Sequence, residues 1–354
     1  MNAAPWKGRC VLVTGHTGFT GAWLVLWLRW LGAEVSGYAL SPPTKPSLYR
    51  EAGVSASLAR EEIADVRDAR KLDEFFRKAQ PEIVIHLAAQ SLVRRGYAEP
   101  AETYSTNVIG TLNVLESVRS CPAVRAVVVV TTDKCYENRE LSRGYTEDDP
   151  LGGADPYASS KAAAELVTSA YRSSFFANGA SVATARAGNI VGGGDWSTDR
   201  LMTDLVSALR SGKPLRLRNP DAVRPWQHVL DALHGYLVLA AALAERGRDF
   251  AQAWNFGPPP EEARPVSWVV ETAARLWGSN CRWERDTGPH PHESTQLRLD
   301  AGKARSRLGW KPELGIEEAL AWSVDWYRRH AENPRQAPEL CLEQIARFME
   351  RAGS

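Results

Sequence analysis

Short apolar runs alternate with longer stretches of helical period along most of this chain. Arg9-Cys10-Val11-Leu12-Val13-Thr14 has the pattern of a strand and leads straight into a glycine. A helix with a tryptophan-rich face is expected from Gly21 to Gly32, followed by a second strand over Glu34 to Tyr38. Glu62 to Val66 is expected as a third strand and Glu82 to Leu87 as a fourth. Arg125 to Thr131 holds four successive valines and fits a strand buried on both faces. Ser181 to Arg186 and Ala253 to Phe256 complete the set, and further helices are expected near Pro100 to Arg119, Tyr157 to Phe176 and Asp231 to Ala244. Strand, helix, strand in repetition predicts an α/β fold, a Rossmann-type doubly wound parallel sheet.

The texture changes near Asn189. Gly192-Gly193-Gly194 and Asn219-Pro220 mark loops, and after Gly257-Pro258-Pro259-Pro260 the pattern suggests short helices rich in Trp and Arg. Two interleaved domains are expected. Residues 1–188 and 228–257 form the dinucleotide-binding Rossmann domain, and 189–227 and 258–354 form a smaller, mixed domain that binds the substrate. No internal repeat or low-complexity segment interrupts this scheme.

Composition narrows the class. The 354 residues carry a net charge of +1 with no acidic or basic block, so neither nucleic acid nor an anionic membrane surface is an expected partner. The five cysteines (Cys10, Cys121, Cys135, Cys281, Cys341) show no metal-ligand spacing and read as free thiols in a reducing compartment; no metal is expected. The apolar run Leu24 to Leu31 is interrupted by Arg29, and Met1 to Lys7 lacks the apolar stretch of a signal peptide. A cytoplasmic enzyme is the simplest reading.

The first glycines suggest a cofactor. Gly15, Gly18 and Gly21, with Thr17 and Phe19 between them, follow a strand and open a helix. Glycines there permit close approach of a pyrophosphate, whose charge the helix N-terminus favours. Asp65-Val66 can hold the adenine edge, the small Leu87-Ala88-Ala89 segment lets a dinucleotide pass, and Asn107 can buttress that strand. The acidic residue that usually grips the ribose of NAD is missing from Val35 to Ser41, and no arginine stands there for a 2′-phosphate, so the sequence leaves NAD against NADP open.

Tyr157 and Lys161 stand four residues apart, one helical turn, so phenol and ammonium share a face. A cation beside a phenol favours the phenolate, which can take a proton from a sugar hydroxyl while a nicotinamide takes the hydride. Thr132, Asp133 and Lys134 end the valine strand, where open α/β sheets bind their ligands. Oxidation of an alcohol needs only the hydroxyl, the tyrosine and the lysine; the extra acid and base suggest further proton transfers.

With these motifs in hand, the chain resembles the extended short-chain dehydrogenase/reductase superfamily, and within it the nucleotide-sugar 4,6-dehydratases. The resemblance covers about residues 8 to 330 and rests on Gly15-His16-Thr17-Gly18-Phe19, His86-Leu87-Ala88-Ala89-Gln90, Thr132 to Asn138, Leu151 to Tyr157, Gly188 to Trp196 and Arg224 to Val229. It implies NAD as cofactor, CDP-glucose as substrate, a homodimer or higher homo-oligomer built on a helical bundle, and a place in deoxysugar biosynthesis. The Asp133-Lys134 pair is its most specific element, since dTDP- and GDP-sugar dehydratases resemble one another in having Asp-Glu there. The implied roles are Tyr157 as base at the 4-hydroxyl, Lys161 as its tuner and ribose ligand, Thr132 on the 4-oxygen and Asp133 as acid at the 6-hydroxyl. Lys134 is either the C5 base or an electrostatic stabiliser of an enolate. Asn189, Arg216 and Arg224 are expected at the diphosphate, which suits arginine's fork. Asp195, Trp196 and Asn219 are expected around the nucleotide or sugar, with Gln90 and Arg94 as further contacts. Thr20 and Ser91 depart from the resemblance, which has lysine and proline at those places. A nucleotide-sugar 4-epimerase, or a dehydratase of another nucleotide hexose, is the alternative.

Overall fold

The computed structural model describes residues 4–279, 282–290 and 294–353, so Cys281 and the first three residues lie outside the described part. The first half of the chain lays down β1 (Cys10–Thr14), α1 (Phe19–Trp30), β2 (Glu34–Ala39), β3 (Arg60–Ile63), α2 (Ala69–Ala79), β4 (Ile83–His86), α3 (Val93–Ala98), α4 (Gly110–Arg119) and β5 (Ala126–Val130). Then follow α5 (Pro156–Ser174), β6 (Ser181–Ala187), α6 (Leu201–Ser211), α7 (Val229–Arg246), β7 (Ala253–Phe256), α8 (Val266–Trp277), α9 (Ile316–Glu332) and α10 (Ala337–Ala352). The seven strands make one sheet in the order β7-β6-β5-β4-β1-β2-β3, and every pairing is parallel. The order reverses at β1, where Val11 pairs with Val35 on one side and Ile83 on the other. That reversal is where a doubly wound sheet opens a crevice.

Burial on both faces explains the valine run. Val127 and Val129 pack with Leu72, Phe76 and Val114 of α2 and α4, whereas Ala126 and Val128 join the larger core that holds α1 and α7. The third strand is the exception to the expected boundaries. It spans Arg60–Ile63 and not Glu62 to Val66, and as an edge strand it leaves Arg60 and Ile63 exposed and Glu61 and Glu62 half-buried, so no apolar run marks it.

The C-terminal stretch differs from the expected mix of short helices. It contains α8, α9 and α10, of 12, 17 and 16 residues. Trp322, Trp326 and Phe348 of α9 and α10 share the large core with Trp23 and Trp27 of α1. Phe348 meets Trp27 edge-on at 5.4 Å between ring centroids. α1 is thereby covered by the sheet on one side and by the C-terminal helices on the other, which is why Gly21 to Leu28 are all buried. Three two-residue or three-residue ladders shape the stretch after β6: Ile190–Val191 with Gln227–His228, Val223–Arg224 with Arg264–Pro265, and Leu215–Leu217 with Trp283–Arg285. Among the described residues no helix is long and apolar enough to cross a membrane.

Candidate active site

β1 delivers the chain to Gly15, whose φ of +78° is the left-handed region that favours glycine. A Cβ at Gly15 would lie 2.7 Å from Ala88 N, and one at Gly21 would lie 2.2 Å from Gly15 O. The two glycines thus let the turn close under α1 and against the end of β4. Thr14 Oγ1 accepts from Leu87 N and Ala88 N, both at 3.2 Å, and is bonded to His86 Nδ1 at 2.7 Å. Burial pushes the His86 imidazole down to about 3, so it holds this junction as a neutral ring. Gly18 caps α1 without a side-chain bond, which leaves the first amides of the helix for an anion.

Above this turn lies a crevice of about 1010 Å³. Of the residues expected from sequence it is lined by Gly15, Thr17, Gly18, Phe19, Gly21, Asp65, Val66, Leu87, Ala88, Ala89, Gln90, Thr132, Lys134, Tyr157, Lys161, Asn189 and Asp195, and also by Arg94. Its volume, the glycine cradle and the uncapped helix start fit a dinucleotide with a sugar nucleotide beside it. At the end of the crevice away from Tyr157, Ala39 to Ser41, Pro43 and Thr44 form the wall, and the Asp65 carboxylate is engaged by Arg67 Nη2 at 2.6 Å.

The reactive end is built from β5 and α5. Asp155 caps α5 by accepting from Ala158 N at 2.9 Å, and Pro156 occupies the first turn, where its missing N–H costs nothing. Tyr157 is therefore held at the helix start, almost fully buried, and it lines the crevice together with Thr132. Burial pushes that phenol up to about 12, and the strongest opposing influence is the Arg200 guanidinium, ahead of Thr132. Lys161 Nζ donates to Val130 O at 3.1 Å, and burial pulls its ammonium down to about 8 against the attraction of Glu165. Lys161, one helical turn from Tyr157, lines the same end of the crevice.

Thr132 Oγ1 donates to Asp133 Oδ1 at 3.1 Å, and Lys134 Nζ stands 3.5 Å from the same oxygen. Asp133 itself is fully buried, one layer behind the crevice wall, with no partner for Oδ2. Behind Lys161, Glu165 pairs with Arg186 at 2.9 Å and accepts from Thr184 at 2.7 Å. Arg186 Nη1 donates to Tyr136 Oη at 2.8 Å, and Tyr136 in turn donates to Asn255 at 2.6 Å. This buried ionic frame fixes the strand ends that carry the reactive groups.

Five expected site residues stand away from the crevice wall besides Asp133. Asn107 is buried behind Gln90, accepting from its N at 2.8 Å and donating to its carbonyl at 3.0 Å and to Ser160 Oγ at 2.8 Å. Trp196 turns to Trp326, Tyr327 and His330. Arg224 donates to Ser294 O at 2.6 Å and Val223 O at 2.9 Å. Arg216 and Asn219 are exposed. Residue type indicated a diphosphate contact for the arginines, but a two- or three-residue strand gives no sequence pattern for the face it presents. Arg200, Asp199 and Tyr236 line the crevice without having been expected there. A charged pair between a glycine-rich loop and the amphipathic helix α6 was the available signal for the first two. Among the described residues no cluster of His, Cys, Asp or Glu could hold a metal ion.

Comparison with known proteins agrees with this geometry. Residues 11–255 match the NAD dependent epimerase/dehydratase family. A CDP-glucose 4,6-dehydratase of Salmonella typhimurium is 48% identical over 329 residues, covering 91% of each chain. The crystal structure of a dTDP-glucose 4,6-dehydratase from Streptomyces venezuelae, with NAD and a second ligand bound, superposes with a TM-score of 0.76 at 29% identity, covering 92% of this chain and 99% of that one. A UDP-glucose 4-epimerase from Thermotoga maritima, at 22% identity and a TM-score of 0.78 over 91% of this chain and 99% of its own, shares the fold. The glycine turn, the crevice at the strand reversal and these matches together make the chain a member of the NAD-dependent epimerase/dehydratase family.

Proposed function

We propose that this chain is a hydro-lyase that converts CDP-glucose to CDP-4-dehydro-6-deoxyglucose. The observation that carries the reading is that Thr132 and Lys134 line one end of the crevice with Tyr157 and Lys161, while Asp133, directly behind that wall, accepts from Thr132 and faces the Lys134 ammonium. An epimerase needs the tyrosine and lysine alone. An acid and a second cation at the same carbon chain suit the loss of water. The relative from Salmonella typhimurium supplies the substrate of the proposal.

Bound NAD supplies the hydride acceptor for C4 and the hydride donor for C6. Tyr157 takes the proton of the 4-hydroxyl, with the Thr132 hydroxyl bonded to the same oxygen. Lys161 anchors the ribose and adds positive charge beside the phenolate. The ketone at C4 acidifies the proton on C5. Asp133 gives its proton to the 6-hydroxyl, which leaves as water. Lys134 acts at C5, as base or as the cation over the enolate. Asn189 and Asp195 face the nucleotide end of the crevice, and Arg216, Asn219, Trp196 and Arg224 reach the ligand only by moving toward it.

The protein is further proposed to act as a cytoplasmic homodimer. Tyr97, Tyr104, Ile109, Leu166 and Phe175 are large apolar side chains left exposed on or beside α3, α4 and α5, as a helical interface requires. The described cysteines are all free thiols.

Incubation of the purified protein with CDP-glucose and NAD should give the alkaline absorbance of a 4-keto-6-deoxyhexose. Tyr157→Phe should abolish it. Recovery of CDP-galactose without that chromophore would replace the proposal with the epimerase reading.

A further inference from the structure

A second tyrosine reaches the reactive end of the crevice, and no step proposed above uses it. β5 and β6 are neighbours in the sheet, joined beyond their paired residues by Thr131 N donating to Ala185 O at 2.9 Å. β5 runs on into Thr132 and Asp133, and β6 into Gly188 and Asn189, so the two strand ends open side by side. The Asp133 carboxyl lies between them. Thr132 and Lys134 share its Oδ1, and its Oδ2 is turned toward β6, where a Cβ at Gly188 would lie 3.2 Å away. α7 packs against both strands, and Leu233, Leu237 and Ala240 along it belong to the large core. Of α7, Tyr236 alone lines the crevice. Its side chain is fully buried, with the ring edge-on to Phe256 of β7 at 5.9 Å between centroids. Among the described residues its hydroxyl has no partner, and neither has Asp133 Oδ2. A buried hydroxyl left unpaired is costly, and phenylalanine would fill the same place without that cost.

We propose that Tyr236 is a further catalytic residue, whose hydroxyl donates a hydrogen bond to the oxygen that leaves C6. This rests on the reading of the chain as a 4,6-dehydratase with Asp133 as its acid. A hydroxyl oxygen offers two lone pairs. Asp133 gives its proton to one as the C6–O bond breaks and the bonding electrons stay with the oxygen; the Tyr236 O–H meets the other. The departing water carries its own hydrogen and the proton from Asp133, and Tyr236 keeps its proton throughout. Burial pushes the Tyr236 phenol well up, and negative charge on Tyr157 or Asp133 pushes it the same way, so at neutral pH it is a donor. A donor fixed in a buried site stabilises charge that develops on a leaving oxygen, with no reorganisation at the moment of reaction. The two phenols therefore serve different oxygens of one hexose, Tyr157 from α5 at C4 and Tyr236 from α7 at C6.

Tyr236→Phe removes the hydroxyl and keeps the ring. The test mixes this variant with NAD and CDP-glucose, following C4 oxidation by the transient absorbance of the reduced nicotinamide and water loss by mass spectrometry of quenched samples. Oxidation should keep its wild-type rate, and water loss should slow about 10²-fold, the size for removal of one preorganised donor. The thermal midpoint should hold or rise, since the hydroxyl leaves no protein partner behind. Affinity for NAD alone, measured by equilibrium dialysis, should not change. Water loss at the wild-type rate overturns the inference, as does slowing of both steps by the same factor. A lower thermal midpoint overturns it by giving the hydroxyl to the fold, and weaker binding of NAD alone overturns it by giving the hydroxyl to the cofactor. Failure of the wild-type protein to form any 4-keto-6-deoxy product overturns the dehydratase reading, and the inference with it.

Discussion

At the scale of single residues, Asp133 shows how the site separates two tasks. Its carboxyl is fully buried, shares Thr132 and Lys134 as neighbours on Oδ1, and keeps Oδ2 without a partner. Gly188 makes room for it, since a Cβ there would lie 3.2 Å from Oδ2 and 2.7 Å from Pro225 O. Asparagine fits the same space but has no proton to give to a leaving hydroxyl. Asp133→Asn should therefore retain oxidation at C4 and lose water about 10² to 10⁴ times more slowly, the usual range for a positioned acid. Mass spectrometry of quenched mixtures should then find CDP-4-keto-glucose in place of the 6-deoxy product. Residue-scale legibility was uneven for a physical reason. The Tyr157–Lys161 spacing translates directly into one helix face, and the Thr132–Lys134 triplet sits at a strand end that the valine run announces. Arg224 and Arg216 have no such frame, and only tertiary packing decides that one bonds to the Ser294 carbonyl and the other meets solvent.

At the scale of elements, the turn before α1 and α1 itself carry the argument. Periodicity located both, along with β1, β2, β4, β5, β6 and β7, because these elements are buried on one or both faces and burial is what hydrophobic pattern records. It misplaced β3, none of whose residues is buried, and read α9 and α10 as short pieces because their Trp and Arg residues alternate between a buried face and a solvated one. The glycines of the turn are not equivalent. A methyl group at Gly21 would meet a backbone oxygen at 2.2 Å, whereas one at Gly18 would find its nearest neighbour at 3.4 Å, in ordinary contact. Gly21→Ala should displace the start of α1 and weaken dinucleotide binding at least tenfold, as measured by equilibrium dialysis with NAD; Gly18→Ala should be much milder. Farther along α1, Trp27 is fully buried between His234 and Phe348. Trp27→Ala should cost about 3–5 kcal/mol in urea unfolding, the range for deleting a large aromatic from a core that cannot collapse around the gap.

At the scale of the whole molecule, stability against pH is set by groups remote from the chemistry. Burial holds His86 and His228 down to about 3 and His234 down to about 4, so all three remain neutral in the folded protein where the unfolded chain, with ordinary values near 6.5, takes up protons. The unfolded state then binds more protons, and stability falls as pH drops below 6.5, by about 1.4 kcal/mol per unit for each histidine. Asp231 acts in the opposite sense. It is fully buried, its Oδ1 accepts from Glu313 N at 2.6 Å, its Oδ2 has no partner, and burial pushes its carboxyl up to about 8 from an ordinary 3.8. Between those values the folded state binds the extra proton, so Asp231 withdraws stability as pH rises toward 8. Three histidines outweigh one carboxyl on the acid side, and among these four groups Asp231 alone titrates between 6.5 and 8. Thermal midpoints should accordingly peak near pH 6.5 and decline in both directions. Asp231→Asn keeps an oxygen for the Glu313 amide and removes the ionisation, so it should flatten the decline between pH 6.5 and 8 while leaving the acid decline in place. An alkaline decline that persists in the variant would show that another group drives it, and would remove Asp231 from the balance that holds α7 against the segment leading into α9.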